Sequence, residues 1–344
     1  MAGRVTLQTL ADALGVSRTT VSNAYNRPDQ LAPELRAAIL EKAAELGYAG
    51  PDPAARRLRS GQRRAVALMF SARLSYAVTD PAAIALLQGL TEATERKGYE
   101  LHLLPGHRGT GLEVEAVREA VVGGFCLYCM PDDHPALTAA LERRLPIVVV
   151  DEPRIAGTFF VGIEDEAGAR AAARHLRELG HERVAVIVDR LRDDGTGDRI
   201  IDAERIADGY YRVSRERIAG WFDGLGGPVP VYEANENEPA AGARGAAELL
   251  ALTPRPTALL CASDQLSLGA LEAVAAAGLD VPGDISVIGY DDVPAAARAD
   301  LTTVRQPLLE KGRQAGRLLL EHGTEREVIL PVELVVRGTT APPR

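Results

Sequence analysis

Apolar residues along this chain follow two different periods, and the change of period divides it. Near the start they recur at helical spacing in short bursts. Thr6-Leu-Gln-Thr-Leu-Ala-Asp-Ala-Leu14 reads as a helix that Thr6 can cap and that Gly15, as a left-handed residue, can stop. Ser17 can cap a second helix, Arg18 to Tyr25, and a third runs from Pro33 to about Leu46. Leu10, Leu14, Val16 and Val21 are spaced to meet in one small core, with Leu35, Ile39 and Leu46 inward on the third helix. Two short helices joined by a tight Gly-containing turn form the helix-turn-helix pattern. Gly50-Pro51-Asp52-Pro53 then breaks the chain, and Ala54-Ala-Arg-Arg-Leu-Arg-Ser-Gly61 is basic and helix-prone but too poor in apolar surface to fold alone.

From residue 65 the pattern changes to short continuous apolar runs separated by amphipathic stretches. The runs Ala65–Phe70, Tyr99–Leu104, Gly124–Met130, Pro146–Val150, Phe159–Ile163, Arg183–Val188, Thr257–Ala262 and Ile285–Gly289 predict strands. Pro81–Arg96, Pro135–Arg144, Glu164–Leu179, Ala240–Leu252, Gln265–Ala277 and Leu308–Glu321 predict intervening helices. Continuous apolar strands alternating with helices imply parallel sheets covered on both faces, and the repeats are too many for one sheet. The chain is therefore α/β, with a doubly wound two-lobed body. Such sheets bind ligands beyond the carboxyl ends of their strands. Residues 189–213 are long, charged and Gly-containing, and read as a surface insertion beside that cleft.

Charge sharpens the division. The 344 residues carry a net charge of −9, which argues against nucleic acid until the chain is split. Residues 1–64 hold ten Lys/Arg against six Asp/Glu, a balance of +4, and the remainder stands at −13. A basic head on an acidic body fits DNA binding by the head alone. In the second helix Val21 must face the core. Arg18, Thr19, Ser22 and Asn23 can then face out, with side chains able to read base edges, although a solvated polar face would look the same. Thr6, Ser17, Thr20, Asn26, Arg56 and Leu58 complete the candidate DNA contacts.

No apolar run reaches the length of a membrane span, and Met1–Thr6 has no apolar signal core, so a cytoplasmic location without membrane contact is expected. Cys126 and Cys129 form a lone C-x-x-C in a strand-like run with no second ligand pair, which reads as reduced core cysteines and not as zinc. No Walker loop, dinucleotide glycine fingerprint, nucleophile elbow or His-rich metal pattern occurs, and the six histidines are scattered, as surface or helix-end residues. No catalytic activity, cofactor or metal is expected.

Thr6-Leu-Gln-Thr-Leu-Ala-Asp-Ala-Leu-Gly-Val-Ser-Arg-Thr-Thr-Val-Ser-Asn-Ala-Tyr-Asn26 resembles the head of the lactose/galactose-repressor (LacI/GalR) family. Leu46-Gly-Tyr48 and Pro53-Ala-Ala-Arg-Arg-Leu-Arg59 do so too, as do Ala262–Ala270, Val287–Asp292 and Leu301–Pro307 in the body. The resemblance implies a helix-turn-helix head (1–50), a hinge helix and linker (51–64) that folds on DNA, and a periplasmic-binding-protein-like effector and dimerisation domain (65–344). It implies three crossings between lobes, placed near Val161, Asp292 and Glu321. Lobe 1 would hold about 65–161 and 293–321, and lobe 2 about 162–292 and 322–344. Leu58 matches a leucine that wedges between base steps; otherwise it is a linker residue packed on the body. Two departures stand out. Asn23 occupies a position where many relatives carry Arg, so the operator sequence cannot be borrowed, and Ala32 stands where a Ser often caps the third helix.

The resemblance also marks Arg217 and Asp291 as effector contacts. Asp80, Asp151, Ser263 and Asp264 join them as polar residues at strand or helix ends. Together they offer acceptors for hydroxyls and one five-donor fork, which suits a sugar or another polyhydroxylated molecule. Structural alternatives stand beside these roles. Asp80, Asp165 and Asp264 could cap helices, Asp151 could pair with Arg154, and Trp221 at its helical spacing could be core. The expected function is sequence-specific regulation of transcription, by repression, as a homodimer on double-stranded operator DNA under a sugar-like effector. A solute-binding protein of a sugar transporter shares the body fold and is the alternative.

Overall fold

The computed structural model describes residues 5–48, 50, 64–106, 112–321 and 323–344. It forms two compact units, Met1–Arg63 and Arg64–Arg344, each described here by itself. Arg56 and Leu58 lie outside the described residues.

In the first unit helices span Leu7–Leu14, Arg18–Asn26 and Pro33–Glu45, around a core of Leu10, Ala11, Val21, Ala24, Ile39 and Ala43. Thr6 caps the first helix by accepting from Thr9 N–H, and Gly15 ends it at φ +65°. Ser17 caps the second through Thr20 N–H. Ala32 leaves the third without a side-chain cap.

The second unit carries two sheets. Strands β1 (Ala65–Phe70), β2 (Glu100–Leu104), β3 (Gly124–Tyr128), β4 (Ile147–Val150), β5 (Phe159–Ile163) and β12 (Glu327–Leu330) form the first, in the order β12-β5-β4-β3-β1-β2. The second contains β6 (Val184–Val188), β7 (Arg199–Ile201), β8 (Val231–Glu233), β9 (Ala258–Cys261), β10 (Ser286–Asp291), β11 (Thr302–Arg305) and β13 (Glu333–Val335). Its order is β13-β11-β10-β9-β6-β8-β7. All pairs are parallel except β11–β13 and β7–β8 at the two edges of the second sheet. The strand order reverses between β1 and β3 in the first sheet and between β6 and β9 in the second. Ligand crevices of doubly wound sheets open beyond strand ends at such reversals.

Two lobe boundaries differ from the sequence reading. β11 pairs with β10, so residues 293–305 belong to the second lobe, and the chain crosses at Gln306–Pro307, not near Asp292. β12 pairs with β5, so residues 323–330 stay in the first lobe, and the last crossing falls at Pro331–Val332, not near Glu321. The reason is sheet completion. Without β11 and β12 the apolar flanks of β10 and β5 would be open edges.

Three helix pairs bring backbone against backbone through glycine. A Cβ on Gly89, in helix Pro81–Arg96, would stand 1.9 Å from the Leu309 carbonyl oxygen of helix Leu308–Glu321. One on Gly220, in Arg212–Leu225, would meet Glu166 O at 2.2 Å, beside helix Asp165–Glu178. One on Gly269, in Asp264–Ala276, would meet Pro239 O at 1.7 Å, in helix Pro239–Leu250. A backbone neighbour cannot rotate away as a side chain can, so added volume forces the helices apart. Gly89→Ala should therefore destabilise the body by about 1–3 kcal/mol, as overpacking does, measured as a lowered urea midpoint. An unchanged or raised midpoint would show that this contact yields.

Candidate functional site: a helix face and an acidic interlobe cavity

In the head, Ser17, Arg18, Thr19 and Asn26 are exposed, and Thr20, Ser22 and Asn23 are half-buried, while Val21 and Ala24 fill the core. Thr6 and Ser17 spend their hydroxyls on capping, and Asn26 Nδ2 donates to Ser22 Oγ at 3.1 Å. Arg18, Thr19 and Asn23 thus form the part of this helix surface free of local bonds.

In the body, about 1000 Å³ of empty space, partly open to solvent, lies between the sheets. Both strand-order reversals deliver side chains to it. The β1 and β3 ends supply Phe70, Ser71, Tyr128 and Cys129, and the β6 and β9 ends supply Asp189, Arg190, Ala262 and Ser263. Asp151 and Glu152 follow β4, and Asp291 ends β10.

Of the six body residues singled out from sequence, Asp80, Asp151, Arg217, Ser263 and Asp291 line this space, and Asp264 does not. Asp264 is buried as a staple. It accepts from Thr303 Oγ1 at 2.6 Å and Val293 N–H at 2.8 Å, fixing β11 and the turn after β10. The cap of its helix is Ser263, which accepts from Leu266 N–H and donates to Asn237 Oδ1. Asp151 pairs with buried Lys311 at 2.7 and 2.8 Å, whereas Arg154 pairs with Glu327. Asp80 both caps its helix, through Ala82 and Ala83 N–H, and faces the cavity. Trp221 is core.

Arg217 is the best-anchored cation of the wall. Its Nε donates to Asp165 at 2.8 Å, its Nη1 to Ala262 O at 2.5 Å, and its guanidinium lies 3.7 Å from the centre of the Tyr290 ring. Burial pushes the Asp291 carboxyl well above its ordinary range against the pull of Arg217, with Asp264 and Asp80 adding to the rise; Asp291 accepts from Gln306 Nε2. Burial likewise raises Asp80, opposed by its two N–H bonds and assisted by Asp189. Glu152 is pushed up to about 8, first by burial and then by Asp151 and Asp189, against the Val213 N–H bond.

Sequence reasoning missed several wall residues. Asp189 and Arg190 directly follow strand β6, so the rule that found Asp151 and Ser263 would have found them had 189–213 not been set aside as insertion. That segment is woven into the lobe. Leu191 and Tyr211 are buried, and fully buried Glu233 binds Leu191 N–H and Arg205. His134 is a helix-end residue, the N-cap of helix Pro135–Glu142, and is buried, as is hydrogen-bonded His181. Cys126 is a buried free thiol, as is Cys261, but Cys129 borders the cavity. Tyr76 and Gln306 had no local sequence cue beyond the segment around Gln306. Tyr76 Oη donates to Asn237 O at 2.8 Å, and Val213 N–H donates to Glu152 Oε2 at 3.0 Å; both bonds join the lobes. Among the described residues no cluster suited to a metal ion occurs and no helix is long and apolar enough to cross a membrane.

A helix-turn-helix unit joined in one chain to a two-lobed α/β body with an interlobe cavity defines a class, the transcriptional regulators with periplasmic-binding-protein-like bodies. Residues 173–340 match the family model described as a periplasmic binding protein-like domain. The HTH-type transcriptional regulator Rv3575c of Mycobacterium tuberculosis is 43% identical over 99% of this chain and 98% of its own. A LacI-family transcriptional regulator from Corynebacterium glutamicum superposes with a TM-score of 0.75 at 32% identity, covering 98% of this chain and all of that one. The transcriptional regulator CelR in its cellobiose complex gives 0.69 at 27% identity, with 98% of this chain and 100% of that chain covered. This chain belongs to the LacI family of helix-turn-helix transcriptional regulators. Similarity that runs through head and body alike sets aside the solute-binding reading.

The Glu152 carboxyl yields a pH test. A raised folded-state value means stability that is full below the ordinary 4.5 and is lost as pH rises through about 8. Glu152→Gln keeps an acceptor for Val213 N–H and does not titrate. Its stability relative to wild type should rise between pH 5 and pH 8.5, by at most roughly 1.4 kcal/mol per pH unit. Parallel urea midpoints across that range would refute it.

Proposed function

We propose that this chain is a cytoplasmic, homodimeric repressor that reads operator DNA with its second helix and adjusts its grip when a polyhydroxylated effector, sugar-like in character, occupies the interlobe cavity. The observation that carries this is the cavity itself, walled by both lobes at both strand-order reversals. A molecule held by the two walls favours one lobe arrangement over another, and a few kcal/mol of differential affinity shifts such an equilibrium. CelR, in complex with cellobiose, supplies a precedent on the same architecture. The chain acts by binding, and no catalytic step is assigned to it.

In this reading Arg18, Thr19, Ser22 and Asn23 contact bases. Thr6, Ser17, Thr20, Asn26 and Arg56 serve the backbone contacts, and Leu58 wedges into a base step. In the cavity Asp80, Asp151, Arg217, Ser263 and Asp291 contact the effector, and Asp264 positions the strands behind them. Arg217 also balances buried Asp165, so replacing it would test folding along with binding. Asp291→Asn is the cleaner probe, because an amide oxygen still accepts from Gln306.

Residues 64–344 should fold and lose all affinity for the promoter beside the gene, whereas the full chain binds it with a steep salt dependence. A truncated body that still shifts the fragment would move DNA binding out of the head. Asn23→Ala should cost about 1–3 kcal/mol at one base position and relax preference there; an unchanged base preference removes Asn23 from the readout. Leu58→Ala should weaken binding and reduce DNA bending together, with the salt slope intact because no charge is lost. Full bending in fluorescence transfer across a short operator would exclude the wedge.

A further inference from the structure

The cavity wall holds more acid than its cations balance. Lys311 is committed to Asp151, Arg217 to Asp165, and Arg190 lies 3.7 Å from Glu236. Asp80, Glu152, Asp189 and Asp291 are left with neutral donors only. These are the Ala82 and Ala83 N–H groups, Val213 N–H, Ser214 Oγ and Gln306 Nε2. Ionised or protonated, a carboxyl keeps acceptor sites beyond the one or two bonds made here, so part of this capacity is unspent. Two of the four come from the first lobe, Asp80 and Glu152, and two from the second, Asp189 and Asp291. The excess acid therefore faces the space from both sides.

A separate observation points the same way. Gln306, only 7% exposed, lines the cavity at the second crossing between lobes. Its Nε2 is held by Asp291, and its buried Oε1 has no hydrogen-bond partner. A buried acceptor without a donor costs free energy that a ligand hydroxyl would recover.

We propose that the cavity selects an uncharged, hydroxyl-rich ligand and excludes its phosphorylated or carboxylated counterparts, with Asp189 and Gln306 as specificity-determining residues. Hydroxyls donate to the unspent carboxylate oxygens and to Gln306 Oε1, and take Arg217 as their donor. A phosphate or carboxylate needs cations to balance it, and Lys311, Arg217 and Arg190 are already drawn to Asp151, Asp165 and Glu236. The proposal rests on the reading of the cavity as the effector site and adds the charge of what it takes.

The test uses the full-length protein and titration calorimetry. The probes are common aldoses, disaccharides and polyols, each beside its phosphate ester and its acid. The members that bind should be uncharged, with their anionic counterparts at least about 100-fold weaker. An anion that binds as tightly as its uncharged parent overturns the proposal, and so does a panel without a binder. Asp189→Asn, with its fold checked by circular dichroism, should narrow the discrimination at least about tenfold; unchanged discrimination overturns the role of Asp189. Gln306→Leu should weaken the uncharged binder without narrowing the discrimination, and an unaffected affinity overturns the role of Gln306. These measurements contain no DNA. Selective binding that leaves promoter affinity unaltered would count against the regulator while the selectivity stands.

Discussion

The body depends on two buried ion pairs, one in each lobe, both placed where the chain passes between lobes. Arg217 holds Asp165 immediately after the first crossing and reaches Ala262 O at the end of β9. Lys311 holds Asp151 at the end of β4, from a helix that begins directly after the second crossing. Removing one member of such a pair leaves an uncompensated buried charge, at a cost of about 3–5 kcal/mol. The pairs are thus structural before they are functional. They tie the ends of β4 and β9 to neighbouring helices on the two sides of the cavity.

Much of this architecture was legible because its strands are buried on both faces. β1, β4 and β6 are unbroken apolar runs that admit no other placement. β11 begins Thr302-Thr303, polar in sequence yet fully buried, because Asp264 and Thr339 take up its hydroxyl and N–H groups from other elements. β12 and β13 are short edge strands with no buried residue, which resemble loops locally. β11 and β12 are the strands whose placement moved two crossings. The cavity was legible where carboxylates follow apolar runs, as at Asp151 and Asp291. It was illegible where the contributing group sits on a four-residue helix, as Tyr76 does, since no periodicity can be read in so short a span.

The charged segment after β6 shows how composition can mislead. Its arginines and aspartates look like solvated surface, yet Arg205 bridges Asp194 and fully buried Glu233. This network carries the backbone from Asp189 to Tyr211 past the cavity mouth and holds both ends against the wall. Glu233 tolerates burial because two backbone N–H groups and a guanidinium fork saturate it.

The glycine-mediated helix contacts carry a mechanical consequence. Shear motion requires packed helices to slide by exchanging one set of side-chain rotamers for another. Where a helix backbone rests on a neighbour's carbonyl oxygen, no rotamer layer intervenes and sliding meets a hard stop. Each lobe of this body is accordingly stiff, and deformation concentrates in the three narrow connections, of which Gln306 occupies one. Gln306 thus stands where a pair of tongs has its pivot, the place at which a given rotation displaces the far ends of the lobes most and the pivot least.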